Sequence, residues 1–219
     1  MTVLTSRLGL PDDRPIRCLA IGAHSDDIEI GAGATVLRLL DERPDTHIDW
    51  VVLAAALERA DEARRSATSL VGDAGSLDIH VLNGRDGYLP FDEAAATKDA
   101  VATLAAGRPD LVLVHRSDDA HQDHRFAAEL AWQLCRWSII LEYEVPKWDG
   151  DFGKTNLYVA VDDQTAERKI SHLLSAFPSQ VGRDWFTADT FRAILRLRGL
   201  EARSPSGLAE AFVARKLIV

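Results

Sequence analysis

The chain has 219 residues, 47% of them apolar and 27% charged, with a formal net charge of -9. That length and apolar content suit one hydrophobic core and a single domain over residues 1–219, and the acidic balance argues against a nucleic-acid surface. No run approaches the roughly 18 unbroken apolar residues of a membrane span, and Met1 to Arg7 lack the basic-then-apolar order of a secretory signal, which points to the cytoplasm.

In chain order, strands are expected near 16–22, 47–54, 77–82, 110–115, 138–143 and 156–161. Helices are expected near 28–41, 59–71, 92–106, 122–136, 163–177 and 188–199. This alternation implies an α/β, Rossmann-like fold, a mostly parallel sheet with helices on both faces. The first strand runs into His24-Ser25-Asp26-Asp27, and small residues then open a helix. The fourth runs toward His121-Gln122-Asp123-His124, again at a helix start. Both clusters therefore fall at the carboxyl ends of strands, the edge where open α/β sheets bind ligands. Residues 146–154, with Gly150 and Gly153, read as a flexible loop that reaches the rim of such a site. The apolar end, residues 209–219, reads as a strand returning to the sheet edge, where it could pair with a second subunit, the oligomeric state being left open by the sequence. Cys18 and Cys135 lack metal-ligand spacing and read as reduced and buried.

Two imidazoles and a carboxylate suffice for a catalytic zinc, which keeps a fourth position open for water and lowers that water's pKa. His24 and Asp27, three apart in a tight loop, can turn toward one point, and His124 can close the triangle. Asp26 is then placed to collect a proton, and His121 is left beside the metal. Iron(II) suits the same ligand set.

These residues resemble the LmbE-like or PIG-L-like deacetylases, whose signature is a His-x-Asp-Asp loop followed far downstream by His-x-Asp-His. Arg59-x-x-Glu62, the turn from Gly84 to Pro90, Tyr143 to Pro146, Ser179-Gln180 and Ala209 to Phe212 extend the resemblance along the chain. It implies zinc-dependent hydrolysis of an N-acetyl group on an N-acetylglucosaminyl conjugate, giving acetate and a free amine. By resemblance His24, Asp27 and His124 would bind zinc, and Asp26 would be the general base. His121 would steady the oxyanion, and Asp123 would orient a histidine. Arg59 and Asp86 would hold sugar hydroxyls.

Plainer readings stand beside these. Asp26 or Asp27 could cap the helix near Ile28, Arg59 with Glu62 could be a helix-surface pair, and Asp86 between Gly84 and Gly87 could favour a turn. His47, His80, His115 and His172 read as structural or exposed, Asp118 and Asp119 as loop carboxylates before the second motif that could shape the entrance, Glu29 as a brace behind the metal loop, and Trp148 as an exposed loop aromatic that could either stack on a sugar or pack at the rim. The rival functions are hydrolysis of a different acyl amide, and nucleotide binding without catalysis. The latter lacks a Gly-x-Gly-x-x-Gly, since Gly31-Ala32-Gly33 falls inside the helix start and has no third glycine.

Overall fold

A computed structural model describes residues 8–217. Residues 1–7, read above as lacking a secretory signal, and the last two residues of the apolar end lie outside the described residues. Strands β1 (Arg17–Gly22), β2 (His47–Val52), β3 (Ser76–Val81), β4 (Leu111–His115), β5 (Ile139–Tyr143), β6 (Leu157–Ala160) and β7 (Ala209–Val213) form one sheet in the order β3-β2-β1-β4-β5-β7-β6. The first five pair in parallel, whereas β7 runs antiparallel to both β5 and β6. The expected strand at the chain's end thus exists but is not an edge. It is inserted between β5 and β6, so an outward pairing of that strand with a second copy is excluded among the described residues.

The helices are α1 (Asp27–Glu42), α2 (Glu58–Val71), α3 (Ala94–Ala105), α4 (Gln122–Leu134), α5 (Asp163–Ala176) and α6 (Ala188–Ala202). Alternate strand residues supply two cores, because successive side chains in a strand point to opposite faces. Cys18, Ala20, Ile48, Trp50, Leu113 and Leu141 pack with α1, α2, α5 and α6. Leu19, Ile21, Val51, Val112, Val114 and Ile140 pack with α4 and with Val101 of α3. Cys18 and Cys135 are free and buried. No helix among the described residues is long and apolar enough to cross a membrane.

Strand order reverses between β1 and β4, which lie side by side while their following helices cover opposite faces. The crevice at their carboxyl ends is the switch point of the sheet. Gly31, one turn into α1, has a packing role there: a Cβ would come within 2.1 Å of the Tyr143 ring. The Tyr143 hydroxyl donates to the Ile21 carbonyl at 2.7 Å, fastening β5 to the strand that carries the first motif.

Candidate metal and active site

Asp26 sits at the N-cap position of α1, yet its side chain makes no capping bond. Asp27 instead turns back, and its Oδ2 accepts the His24 N–H at 2.6 Å. The loop therefore points both aspartates and His24 into the crevice, and the capping reading of these carboxylates is not what the structure shows.

Three donor atoms from the two motifs meet there. His24 Nδ1 lies 3.3 Å from Asp27 Oδ2 and 3.3 Å from His124 Nε2, and His124 Nε2 lies 3.6 Å from Asp27 Oδ2. Ligands bound at the usual zinc distances in a tetrahedron stand about 3.3 Å apart, so this triangle has the size of one tetrahedral face. The residues fit a metal ion in donor type and spacing.

Each imidazole is oriented by a carboxylate on its far nitrogen. His24 Nε2 lies 3.3 Å from Asp123 Oδ2 and 3.1 Å from Asp86 Oδ1, and His124 Nδ1 lies 3.0 Å from Asp119 Oδ2. Such partners fix ring orientation and raise ligand basicity. Asp123 is itself held by the Gly87 N–H at 2.7 Å and the Leu89 N–H at 3.2 Å. Gly87 has φ +80°, a conformation that costs glycine nothing, and it lets this turn aim its amide at the carboxylate. Burial works against a charged His24, but Asp27, Asp123 and Asp86 outweigh it and raise its pKa well above the usual value. The same negative surroundings favour a metal cation.

Asp26 is fully buried, and burial followed by the charge of Asp27 pushes its carboxyl up to about 6, against the pull of Arg59. The Arg59 Nη2 lies 3.1 Å from Asp26 Oδ1, while its Nη1 lies 3.5 Å from Asp86 Oδ2. Arg59 and Asp86 thus stand together at the mouth. The helix-surface pairing of Arg59 with Glu62 does not occur: Glu62 is buried and accepts the Ser179 N–H at 2.8 Å and its hydroxyl at 2.5 Å.

His121 caps α4. Its Nδ1 accepts the Asp123 N–H at 3.2 Å, and its own N–H donates to Asp119 Oδ1 at 2.8 Å. Burial, with the charges of His124 and His24, lowers its pKa. A neutral ring whose Nδ1 accepts carries its proton on Nε2, so His121 offers one N–H donor. It is Asp123's backbone, not its carboxylate, that orients His121; the carboxylate serves His24.

Two residues read as structural or peripheral belong to the centre. His115, the last residue of β4, is fully buried, stacks on His124 with ring centroids 3.8 Å apart, and brings Nε2 within 3.1 Å of Asp27 Oδ2. Burial, then the charge of His124, lowers its pKa to about 4, and the Nε2 of this neutral ring accepts the Ala23 N–H at 3.0 Å, tying the end of β4 to the loop of the first motif. Asp119 is buried and also takes Lys147 Nζ at 3.0 Å. Despite its burial, His124, the His121 N–H and Lys147 hold it well below the ordinary carboxylate range. Asp118, by contrast, is exposed and pairs with Arg116. The signal for His115 was its place at the end of a central strand, on the edge that carries both motifs.

The loop over 146–154 is tied down beside the second motif: Asp151 accepts the Ala120 N–H at 2.8 Å and Lys147 Nζ at 2.6 Å. Trp148 is exposed, its Nε1 donating to Asp184 at 3.1 Å. Glu29 meets Ser66 of α2, whose hydroxyl lies 2.8 Å from His172 Nε2.

The chain is 30% identical over 137 residues to the uncharacterized deacetylase YaiS of Escherichia coli K12, covering 58% of this chain and 73% of that one. It is 29% identical over 151 residues to the diacetylchitobiose deacetylase of Thermococcus kodakarensis, covering 59% of this chain and 54% of that one. The fold superposes with a TM-score of 0.70 on the N,N'-diacetylchitobiose deacetylase of Pyrococcus horikoshii in complex with its inhibitor MPG, at 23% identity, covering 94% and 86% of the two chains. The class is that of an N-deacetylase hydrolase on a Rossmann-like sheet. Within it, this chain belongs to the PIG-L family, GlcNAc-PI de-N-acetylase, which residues 19–135 match.

Proposed function

We propose that the protein uses zinc to hydrolyse the N-acetyl group of an N-acetylglucosaminyl-type conjugate, releasing acetate and a free amine. The observation that carries this reading is the triangle of His24, Asp27 and His124 atoms, sized for a tetrahedral ion, with Asp26 next to Asp27 in the chain and the His121 ring 5.0 Å from that of His24. The kinship with diacetylchitobiose deacetylases supports the sugar. A zinc ion held there would supply Lewis acidity and a water acidified to near neutral pH.

The protein's own groups supply the rest. Asp26 takes the proton of the attacking water, and a carboxyl poised near 6 suits a base that must work around neutrality. It then returns the proton to the departing nitrogen, which an amine needs in order to leave. His121 donates from Nε2 to the oxygen that gains charge as the carbonyl becomes tetrahedral. Asp119 and Asp123 hold the two ligand rings, and Arg59 and Asp86 receive hydroxyls of the sugar at the mouth.

The test combines metal content with acetate release from N,N'-diacetylchitobiose and a panel of other amides. Wild type and Asp26→Asn should each hold zinc, with acetate released by wild type alone. His121→Ala should keep zinc and slow turnover by about a hundredfold to a thousandfold, the usual effect of losing one oxyanion donor. Turnover at the wild-type rate in Asp26→Asn would remove it as the base, and faster cleavage of another acyl amide would replace acetyl as the group removed.

A further inference from the structure

A second cluster of metal-type donors lies at the other end of the strands, on the edge pair β2 and β3. His47 and Asp49 alternate along β2, and Ser76, Asp78 and His80 alternate along β3, so all five share one face of the sheet. The register sets Asp49 directly beside Asp78, with His47 beside Ser76 and His80 one rung beyond. Like charges opposed across a strand pair are unfavourable unless a cation relieves them. No arginine or lysine pairs with either aspartate among the described ion pairs.

The imidazoles complete the donor set. His47 Nε2 lies 3.5 Å from Asp49 Oδ2 and 3.7 Å from Asp78 Oδ2, near the roughly 3.3 Å separation of tetrahedral zinc ligands. One atom from each of His47, Asp49 and Asp78 falls within 4.8 Å of the others. The outer contacts repeat the pattern seen at the first centre. His47 Nδ1 rests 3.0 Å from Ser76 Oγ, which turns Nε2 toward the carboxylates, and His80 Nε2 holds the other oxygen of Asp49 at 3.2 Å. His47 and Asp49 are half-buried, whereas Asp78 is 67% exposed at its side chain, leaving an approach from solvent.

We propose that His47, Asp49 and Asp78 form a second divalent-metal site, for a zinc-class ion, bridging β2 to the edge strand β3. Its chemistry is structural: the ion would neutralise the opposed carboxylates and fasten β3. The proposal does not depend on the catalytic reading, since no residue is shared.

Zinc alone is the probe. Chelator-stripped protein is titrated calorimetrically, and bound metal is counted by elemental analysis. Wild type should take two equivalents, and His47→Ala and Asp78→Asn one each with acetate release unchanged. Ser76→Ala should keep the second equivalent with affinity lower by about 10- to 100-fold, as outer-sphere losses do. His124→Ala should retain the equivalent that His47→Ala loses. Two equivalents persisting in both His47→Ala and Asp78→Asn would overturn the proposal, as would a single wild-type equivalent that His124→Ala abolishes. A single equivalent that disappears in His47→Ala and survives in His124→Ala would uphold this site and reject zinc at the catalytic one.

Discussion

Arg59 shows how one side chain ties the mouth of the site to its chemistry. Its guanidinium touches both Asp26 and Asp86, so replacing it removes a positive charge 3.1 Å from the proposed base. Asp26 acts in its ionised form, and activity should therefore fall as pH drops through its pKa. With Arg59→Ala the carboxyl protonates at higher pH, and the acid limb of kcat/KM should move upward relative to wild type. A bound metal lowers that limb in both proteins alike, so the displacement is the quantity to measure. An unmoved limb would mean that Asp26 is not the titrating group. The residues that sequence made legible were those crowded into two short segments: His24, Asp26 and Asp27, then His121, Asp123 and His124. His115 and Asp119 escaped because their meaning is tertiary. Nothing along the chain says that His115 stacks on His124, or that Asp119 reaches five residues forward to the same ring.

At the scale of elements, α1 is held in place by charges from two distant segments. Glu210 of β7 accepts the N–H groups of Ala34 and Thr35 at 2.8 and 2.7 Å and the Thr35 hydroxyl at 2.6 Å. Lys169 of α5 donates to Glu210 and to the Ile30 carbonyl, both at 2.6 Å. Lys169 and Glu210 are both buried, so removing one leaves the other uncompensated. Glu210→Ala should cost roughly 3–5 kcal/mol of stability, read from denaturant midpoints, and Glu210→Ala with Lys169→Met should recover part of it. A loss under 1 kcal/mol would show that the pair does not anchor the helix. Because α1 begins at Asp27, this anchor also sets the angle at which the first motif enters the crevice. The order and approximate bounds of the first six strands and the six helices followed from apolar runs and their punctuation. The place of β7 did not, since its partners, 139–143 and 157–160, lie about 50 to 70 residues away and no local pattern selects between an edge and an interior position.

For the whole molecule, the centre is framed by bonds within the protein: Asp27 on its own loop, Asp123 on the 87–89 turn, Asp119 on the start of α4. A zinc finger has no such frame and unfolds without its ion. Stripping this protein with a chelator should abolish acetate release while leaving far-ultraviolet circular dichroism unchanged, and added zinc should restore the rate. Loss of secondary structure on chelation would show that the frame depends on the ion.

The inserted strand has a bearing on how the sheet is completed. Every residue assigned to the centre precedes residue 125, and β1 to β5 can zip together without anything beyond Tyr143. β6 is different: its one partner among the described residues is β7, made about fifty residues later. During vectorial synthesis β6 must therefore wait, unpaired, until Ala209–Val213 threads in beside β5 and supplies both missing ladders at once. A chain cut before Ala209 would lose two strands to one incision, and would bare the β5 flank as a sticky edge for other molecules.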